Sequence, residues 1–432
     1  MPQYTNLSRE EKENELAILN RQYRNICDMH LSLDMSRGRP CREQADFAMD
    51  MLTCLTPEDM ILADGSDVRN YGIPAGIFAA RKLMGGILGL DPSEVYICGS
   101  SSLNIMFDLI SHAYLHGVYG SNEPWRASKQ PKFLCPGPGY DRHFGITEYF
   151  GIYMINIPLN EDGPDMDMVE DYVNNDPDVK GIWCIPKYSN PTGITYSDET
   201  VRRLAALKPA ADNFRIFWDN SYVVHDLYED DKDELANIMD LCKEYGSEDM
   251  LYEFTSTSKM TFAGSGLAAL GASKHNIEYI SKQFAIESIG WNKLNMLMHV
   301  KFLKDNDTIA ALMRKHAAVL RPKFKAVEEI LEAEVADIAQ WKNPKGGYFI
   351  SYNVMDGCAT RVYNLCKEAG VKLTPVGATF PYGHDPHDSN IRIAPTTPNL
   401  DDLTQATALL CLCTKIATLE KLLAEDSSEE AV

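Results

Sequence analysis

The chain is predicted to be α/β: a large domain on a mostly parallel, mixed sheet, with a smaller α+β domain beside it. Three observations carry this expectation. From about residue 75, apolar runs of strand length alternate with amphipathic helical stretches, the pattern of strands joined by crossover helices. The 432 residues, 45% of them hydrophobic, are enough for two or three domains and a sizeable core. After residue 275 the alternation gives way to helix, and then to a short α+β pattern. The expected division is a large domain at 51–300 and a small one made from both chain ends, 1–50 and 301–432.

Taken in order, 8–30 reads as a charged helix with Leu16, Leu19, Tyr23 and Ile26 near helical spacing. A loop follows with Arg37, Gly38, Arg39 and Pro40. A helix is predicted over Ala75–Leu88, ending at Gly89, then a strand over Val95–Cys98. The next helix shows an apolar face of Leu103, Phe107, Ile110 and Tyr114. Strands are predicted at Lys132–Cys135, Gly151–Ile157, Gly181–Ile185, Arg215–Trp218 and Met250–Ser256, with helices at Met166–Asn174 and Asp198–Leu207. The pattern predicts unbroken helix over 275–332. Strands follow at Tyr348–Tyr352, Val371–Thr374 and Ile391–Ile393, then a helix over Leu400–Leu423 and a frayed acidic tail.

Composition excludes some functions. With 62 acidic and 41 basic residues the formal charge is −21, which disfavours binding to a phosphate backbone. The polar N-terminus lacks the apolar stretch of a signal peptide, and no apolar run is long enough to span a bilayer. The 11 cysteines follow no zinc or disulfide spacing and fit a reducing cytoplasm.

Ligands of open parallel sheets sit at the carboxyl ends of the strands. The residues that follow the strands here are Gly99-Ser100-Ser101, Tyr140, Asn190, Asp219 with Tyr222, and Ser256 with Lys259. A serine-rich turn opening a helix suits a phosphate, although serine is also an ordinary N-cap. A carboxylate ending a buried strand needs a partner: a helix N-terminus, or a protonated pyridine nitrogen. A lysine after a strand is usually solvated, but it can form a Schiff base.

Rival motifs fit less well. Ser256-x-x-Lys259 lacks the companion motifs of penicillin-recognising enzymes. Gly264-x-Gly266-x-x-Ala269 does not directly follow a predicted strand, as a dinucleotide site requires. His112 and His116 stand four apart with no third metal ligand.

The ordered set resembles the pyridoxal phosphate (PLP)-dependent aminotransferases of fold type I, class I, from the Arg37-Gly38 loop to Arg392. The carrying motifs are Asn190-Pro191-Thr192-Gly193, Asp219-x-x-Tyr222 and Ser256-x-x-Lys259. Tyr188-Ser189-Asn190 and the run from Lys259 to Gly264 resemble the bacterial aspartate aminotransferases of subgroup Ic most. The resemblance implies that Lys259 holds PLP as a Schiff base and moves the substrate proton. It implies that Asp219 pairs with the ring nitrogen, Asn190 and Tyr222 with the 3′-oxygen, and that Tyr140 stacks on the ring. Gly99, Ser100, Ser101 and Ser256 would hold the phosphate, and Tyr71 would reach it across a homodimer interface. Arg392 would bind the substrate α-carboxylate, and Gly38 would approach the substrate.

Many relatives place an arginine seven or eight residues after the lysine, where this chain has Gly266 and Leu267. The phosphate would then be balanced by Ser265, backbone N–H groups or another cation. A second carboxylate on the substrate would need Arg37, Arg39 or Lys293. The expected reaction is amino transfer between aspartate, or a similar amino acid, and 2-oxoglutarate. A PLP-dependent lyase or decarboxylase is the alternative. A PLP-binding regulator fits less well, because only about 30 residues precede the Arg37 loop, too few for a DNA-binding domain.

Overall fold

The structure, a computed structural model, describes residues 4–121 and 123–429. Its centre is an eight-stranded sheet. From one edge to the other the strands are Val95–Ile97, Ala268–Ala272, Leu251–Ser256, Arg215–Asp219, Val179–Cys184, Lys132–Gly137, Tyr153–Asn160 and Gly163–Pro164. The five from Leu251–Ser256 to Tyr153–Asn160 run parallel, while Ala268–Ala272 and Gly163–Pro164 are antiparallel to their neighbours. Every residue of Val179–Cys184, Arg215–Asp219 and Leu251–Ser256 is buried. Both faces of these strands are covered, so burial does not alternate along them.

Local signals set many element ends. Ser8 and Glu11 form a capping box at the start of helix Arg9–Cys27. Ser197 accepts from Thr200 N at the start of Asp198–Ala205. Gly89, at φ 73°, closes Phe78–Leu88 in the left-handed conformation a helix end favours.

Several expectations need correction. The helix predicted from Ala75 begins at Phe78. Helix Ser102–His116 buries Ile105, Met106, Leu109, Ile110 and Ala113, whereas Phe107 and Tyr114 lean sideways onto Phe150. The unbroken helix expected over 275–332 is three helices, Lys274–Glu287, Lys293–Leu303 and Asn306–Val335. The second break turns at Lys304, which takes φ 57° without a glycine. The strand predicted at Tyr348–Tyr352 runs over Ile350–Val354. The last helix runs from Leu400 to Glu429, through the acidic stretch expected to fray. Strand Ala268–Ala272 was not anticipated.

Both chain ends meet in one core. Leu19, Tyr23 and Met35 pack with residues from Leu320 to Leu422. Leu33–Asp34 pairs in parallel with Val371–Lys372, and Ala394 N donates to Met35 O at 3.0 Å. An antiparallel sheet of Ala339–Trp341, Ile350–Val354 and Asn390–Ile393 lies in the same unit. Helix Asn306–Val335 bridges the cores: Ile309, Leu312 and Met313 pack with the large sheet, and Phe324, Val327 and Leu331 with the chain ends. No helix of the described residues is long and apolar enough to cross a membrane.

Candidate active site

Residues that follow the parallel strand Lys132–Gly137 line one cavity with the N-terminal segment. Asp219 is the last residue of its strand and 5% exposed. Burying a carboxylate is costly unless it is hydrogen-bonded. Two groups meet that need: His143 Nε2 lies 3.0 Å from Oδ2, and Ser221 Oγ donates to Oδ1 at 2.5 Å. His143 is buried, stacked on Trp183 at 4.2 Å between ring centres, so its position is fixed. Hydrogen bonds to a charged group contribute about 1.5–3 kcal/mol each.

Lys259 follows the strand Leu251–Ser256 and is half-buried, its Nζ 4.9 Å from the centre of the Tyr222 ring. Burial pushes its ammonium below the usual lysine range, and the Asp219 charge opposes that shift. Burial likewise raises the Tyr222 hydroxyl, and it pushes Tyr140 up to about 12. Tyr140 stands edge-on to His143, with ring centres 5.0 Å apart.

Arg392 is buried on the strand Asn390–Ile393. Its Nη1 donates to Asp141 Oδ1 at 3.1 Å and to Asn190 Oδ1 at 3.2 Å. Nε and Nη2 donate to Thr374 Oγ1, and the guanidinium lies 4.8 Å over the Phe349 ring. Phe349 also explains Gly38: a Cβ there would fall 2.3 Å from the Phe349 ring. Thr374 Oγ1 donates to Ser36 O and Thr396 Oγ1 to Arg39 O, which pins the segment carrying Gly38. Arg37 is exposed, and with Gly38, Tyr140 and Arg392 it lines a cavity of about 970 Å³.

The serine turn has its own cavity of about 370 Å³, lined by Gly99, Ser100, Ser265, Trp291 and Asn295 among others, none of them basic. Gly99 turns at φ 65°. Ser101 holds the N-cap position of helix Ser102–His116, yet its side chain makes no capping bond. The ordinary N-cap role is therefore not taken, which leaves the hydroxyl available. Ser256 Oγ bonds Ser258 Oγ at 3.2 Å, and Ser258 Oγ donates to Ser100 O at 3.0 Å, joining the two loops.

Tyr71, expected to act across a dimer interface, and Lys293 both lie outside the cavity that Arg392 lines. Tyr71 is 80% exposed, outside the cleft of its own chain. Lys293, a candidate for a substrate carboxylate, is buried and donates to Asn70 O at 2.5 Å and Gly72 O at 3.1 Å. It clamps the Tyr71 loop instead.

The family model for aspartate amino-transferase matches residues 7–426. The chain belongs to this family. It is similar to the aspartate aminotransferase of Corynebacterium glutamicum, with 44% identity over 93% of each chain. The crystal structure of an aspartate transaminase from that organism superposes with a TM-score of 0.94 at 42% identity, covering 97% of this chain and 99% of the other. An α-aminoadipate aminotransferase from Thermus thermophilus shares the fold, with a TM-score of 0.72 over 91% of this chain and 93% of the other, at 20% identity. The protein is thus an aminotransferase with a fold of type I.

Sequence reasoning missed three residues of this aminotransferase's cleft. His143 and Asp141 open the helix Asp141–Tyr149, directly after Tyr140, and reading past the strand end by one helical turn would have flagged them. Phe349 follows Gly346-Gly347, where a Cβ on either glycine would collide with Tyr188. That glycine pair was the available signal. The His112 and His116 rings lie 6.2 Å apart, and among the described residues no group of three or more His, Cys, Asp or Glu could hold a metal.

Proposed function

We propose that this aminotransferase uses pyridoxal phosphate bound to Lys259 to move the amino group of aspartate, or a similar amino acid, to 2-oxoglutarate. One observation carries the reading. A lysine amine with lowered proton affinity, a buried carboxylate with two fixed donors and a buried arginine all lie near Tyr222, and the arginine lines a cavity rich in cations.

The residues present fit this cofactor. Asp219 has acceptor capacity beyond its two bonds, enough to hold a protonated ring nitrogen. Asn190 accepts from Arg392 through Oδ1, which leaves its amide N–H groups to donate with Tyr222 to the 3′-oxygen. Gly99, Ser100, Ser101 and Ser256 offer hydroxyls and N–H groups to a phosphate beside a helix N-terminus. Tyr140 covers the ring face. When bound, the cofactor supplies an electron sink for negative charge at the substrate Cα.

The chain's own groups do the rest. Lys259, whose ammonium form burial disfavours, would carry the proton between the substrate Cα and the cofactor's C4′ carbon. His143 and Ser221 keep Asp219 aimed. Arg392, aimed by Asp141, Asn190 and Thr374, receives the α-carboxylate in a charge-assisted hydrogen bond. Gly38 lets the N-terminal segment close over the substrate, and Arg37 brings a cation for the distal carboxylate. Both half-reactions share the cleft, so the kinetics are ping-pong.

The working unit is a cytoplasmic homodimer in this reading. Tyr71 at 80%, Phe78 at 62%, Ile286 at 91% and Ile289 at 66% exposure form apolar surface that a second copy would cover. Tyr71 would complete the partner's phosphate site, where no basic residue of the chain's own lines the cavity. The division into a large domain at 51–300 and a small one from both ends is part of the same proposal, supported by the shared core of the termini.

The test is turnover with PLP. Aspartate and 2-oxoglutarate should yield oxaloacetate and glutamate with parallel double-reciprocal lines. Formation of CO₂ or free ammonia instead, or turnover of neutral and aromatic amino acids alone, would refute the reading.

A further inference from the structure

We infer that Gln44 and Tyr348 are positioning residues for Lys259, through a hydrogen-bond chain that runs from the segment after Gly38 to the backbone of the lysine. The inference rests on the role proposed above for Lys259. Gln44 lies on the short helix Arg42–Asp46, six residues after Gly38, and is wholly buried. A buried amide is costly unless its hydrogen bonds are made. Here they are made. Its Oε1 accepts from Cys41 N at 3.1 Å, which settles which end of the amide is the oxygen. Nε2 is then the donor, 3.1 Å from Tyr348 Oη and 3.0 Å from His316 Nδ1. Burial pushes the pKa of His316 down to about 4, so its ring is neutral near pH 7 and Nδ1 can accept. Tyr348 Oη accepts from Gln44 and donates its own proton to Lys259 O at 3.3 Å. The direction of each bond follows from the one before it.

The chain acts where the lysine side chain begins. The turn that carries Lys259 is closed from inside, because Met260 N and Thr261 N both donate to Thr257 O. Tyr348 holds the same turn from the side. Its ring packs 6.0 Å from the ring of Tyr222, and Lys259 Nζ lies 4.9 Å from the centre of that second ring. One tyrosine thus holds the carbonyl of the lysine and supports the ring beside its amine. A lysine amine sits at the end of a flexible four-carbon stem, so its aim depends on how firmly the backbone is held. Misplacing a reacting group by about 1 Å can cost about 10²-fold in rate. At its other end the chain reaches the segment whose Arg37, Gly38 and Arg39 line the cavity with Arg392. Lysine and segment are therefore tied through one buried amide.

The experiment is a double-mutant cycle with Tyr348→Phe and Gln44→Leu. In the PLP-loaded protein each single variant should lower kcat about 10-fold and change KM for aspartate less than about 3-fold. Each should also slow, by about 10-fold, the return of visible absorbance when PLP is added to the cofactor-free protein. The double variant should fall no further than the worse single, because both changes break one chain. A double variant reduced about 100-fold would mean two independent losses and overturns the inference. If Gln44→Leu does not fold, Tyr348→Phe decides, since it removes one oxygen and keeps the ring. In that variant, kcat and absorbance return both within about 2-fold of wild type overturn the inference while the role of Lys259 stands. Visible absorbance retained in Lys259→Ala overturns both.

Discussion

The floor and the rim of the cleft are built on opposite terms. On the floor, Asp219, His143, Asn190 and Arg392 are buried, and each is held by another residue of the chain. At the rim, Arg37, Arg39 and Arg142 are exposed and form no ion pair among the described residues. Preorganised charge suits chemistry, because it costs no reorganisation as the reaction proceeds. Unpaired cations in water suit capture and choice of substrate. Damage to the floor should therefore lower kcat, and damage to the rim should shift KM and substrate preference.

The largest break is Lys259→Ala, which removes both the cofactor's attachment and the proton carrier. Activity should fall by about 10⁴-fold or more, and the visible absorbance of the PLP-loaded protein should be lost. Retention of that absorbance would put the attachment elsewhere. Asp219→Ala should follow at about 10²–10³-fold in kcat. His143→Ala should cost about 10–100-fold, since it removes one charge-assisted bond while Ser221 remains. If His143→Ala lowered kcat as much as Asp219→Ala, the histidine would be more than a support.

At the rim, Gly38→Ala should raise KM for the amino acid about tenfold, through the clash with Phe349, and lower kcat less. Adding Phe349→Leu should recover part of the loss. An equal fall in kcat would mean that the segment acts on the chemistry, and the floor and rim would not be separable.

What could be read beforehand follows the same division. Lys259, Asp219, Asn190 and Tyr140 were legible because each follows closely on a buried apolar strand, where a polar residue has no packing reason to be. Arg392 and Asp141 are 251 residues apart, and His143 and Asp219 are 76 apart, so their pairing depends on tertiary structure. The strand Ala268–Ala272 was hidden by its small residues, which lack the β-branched signal. They are small for a local reason, as a Cβ at Gly271 would fall 2.3 Å from Leu90. The breaks near 290 and 304 were hidden because apolar spacing persists across them, while Pro322 sits inside helix Asn306–Val335 without ending it.

The smallest expected effect on turnover, and the sharpest test of the floor, lies beneath it at Glu253. This carboxyl is 2% exposed and pairs across the sheet with Trp218. Asn220, the residue after Asp219, donates to Oε1 at 3.2 Å, while Oε2 has no partner among the described residues. Burial pushes its pKa up from 4.5 to about 8, with the Asn220 bond opposing. Between those values the folded chain keeps a proton that the unfolded chain releases, so this group's contribution to stability falls as pH rises. Glu253→Gln cannot ionise and removes that slope. Its Tm should match the wild type near pH 5 and exceed it by a few degrees near pH 9, with kcat changed by less than about threefold. Equal Tm differences at both pH values would mean that Glu253 is ionised and paired after all. The floor would then owe its rigidity to a charge beneath the sheet as well as to those facing the cleft.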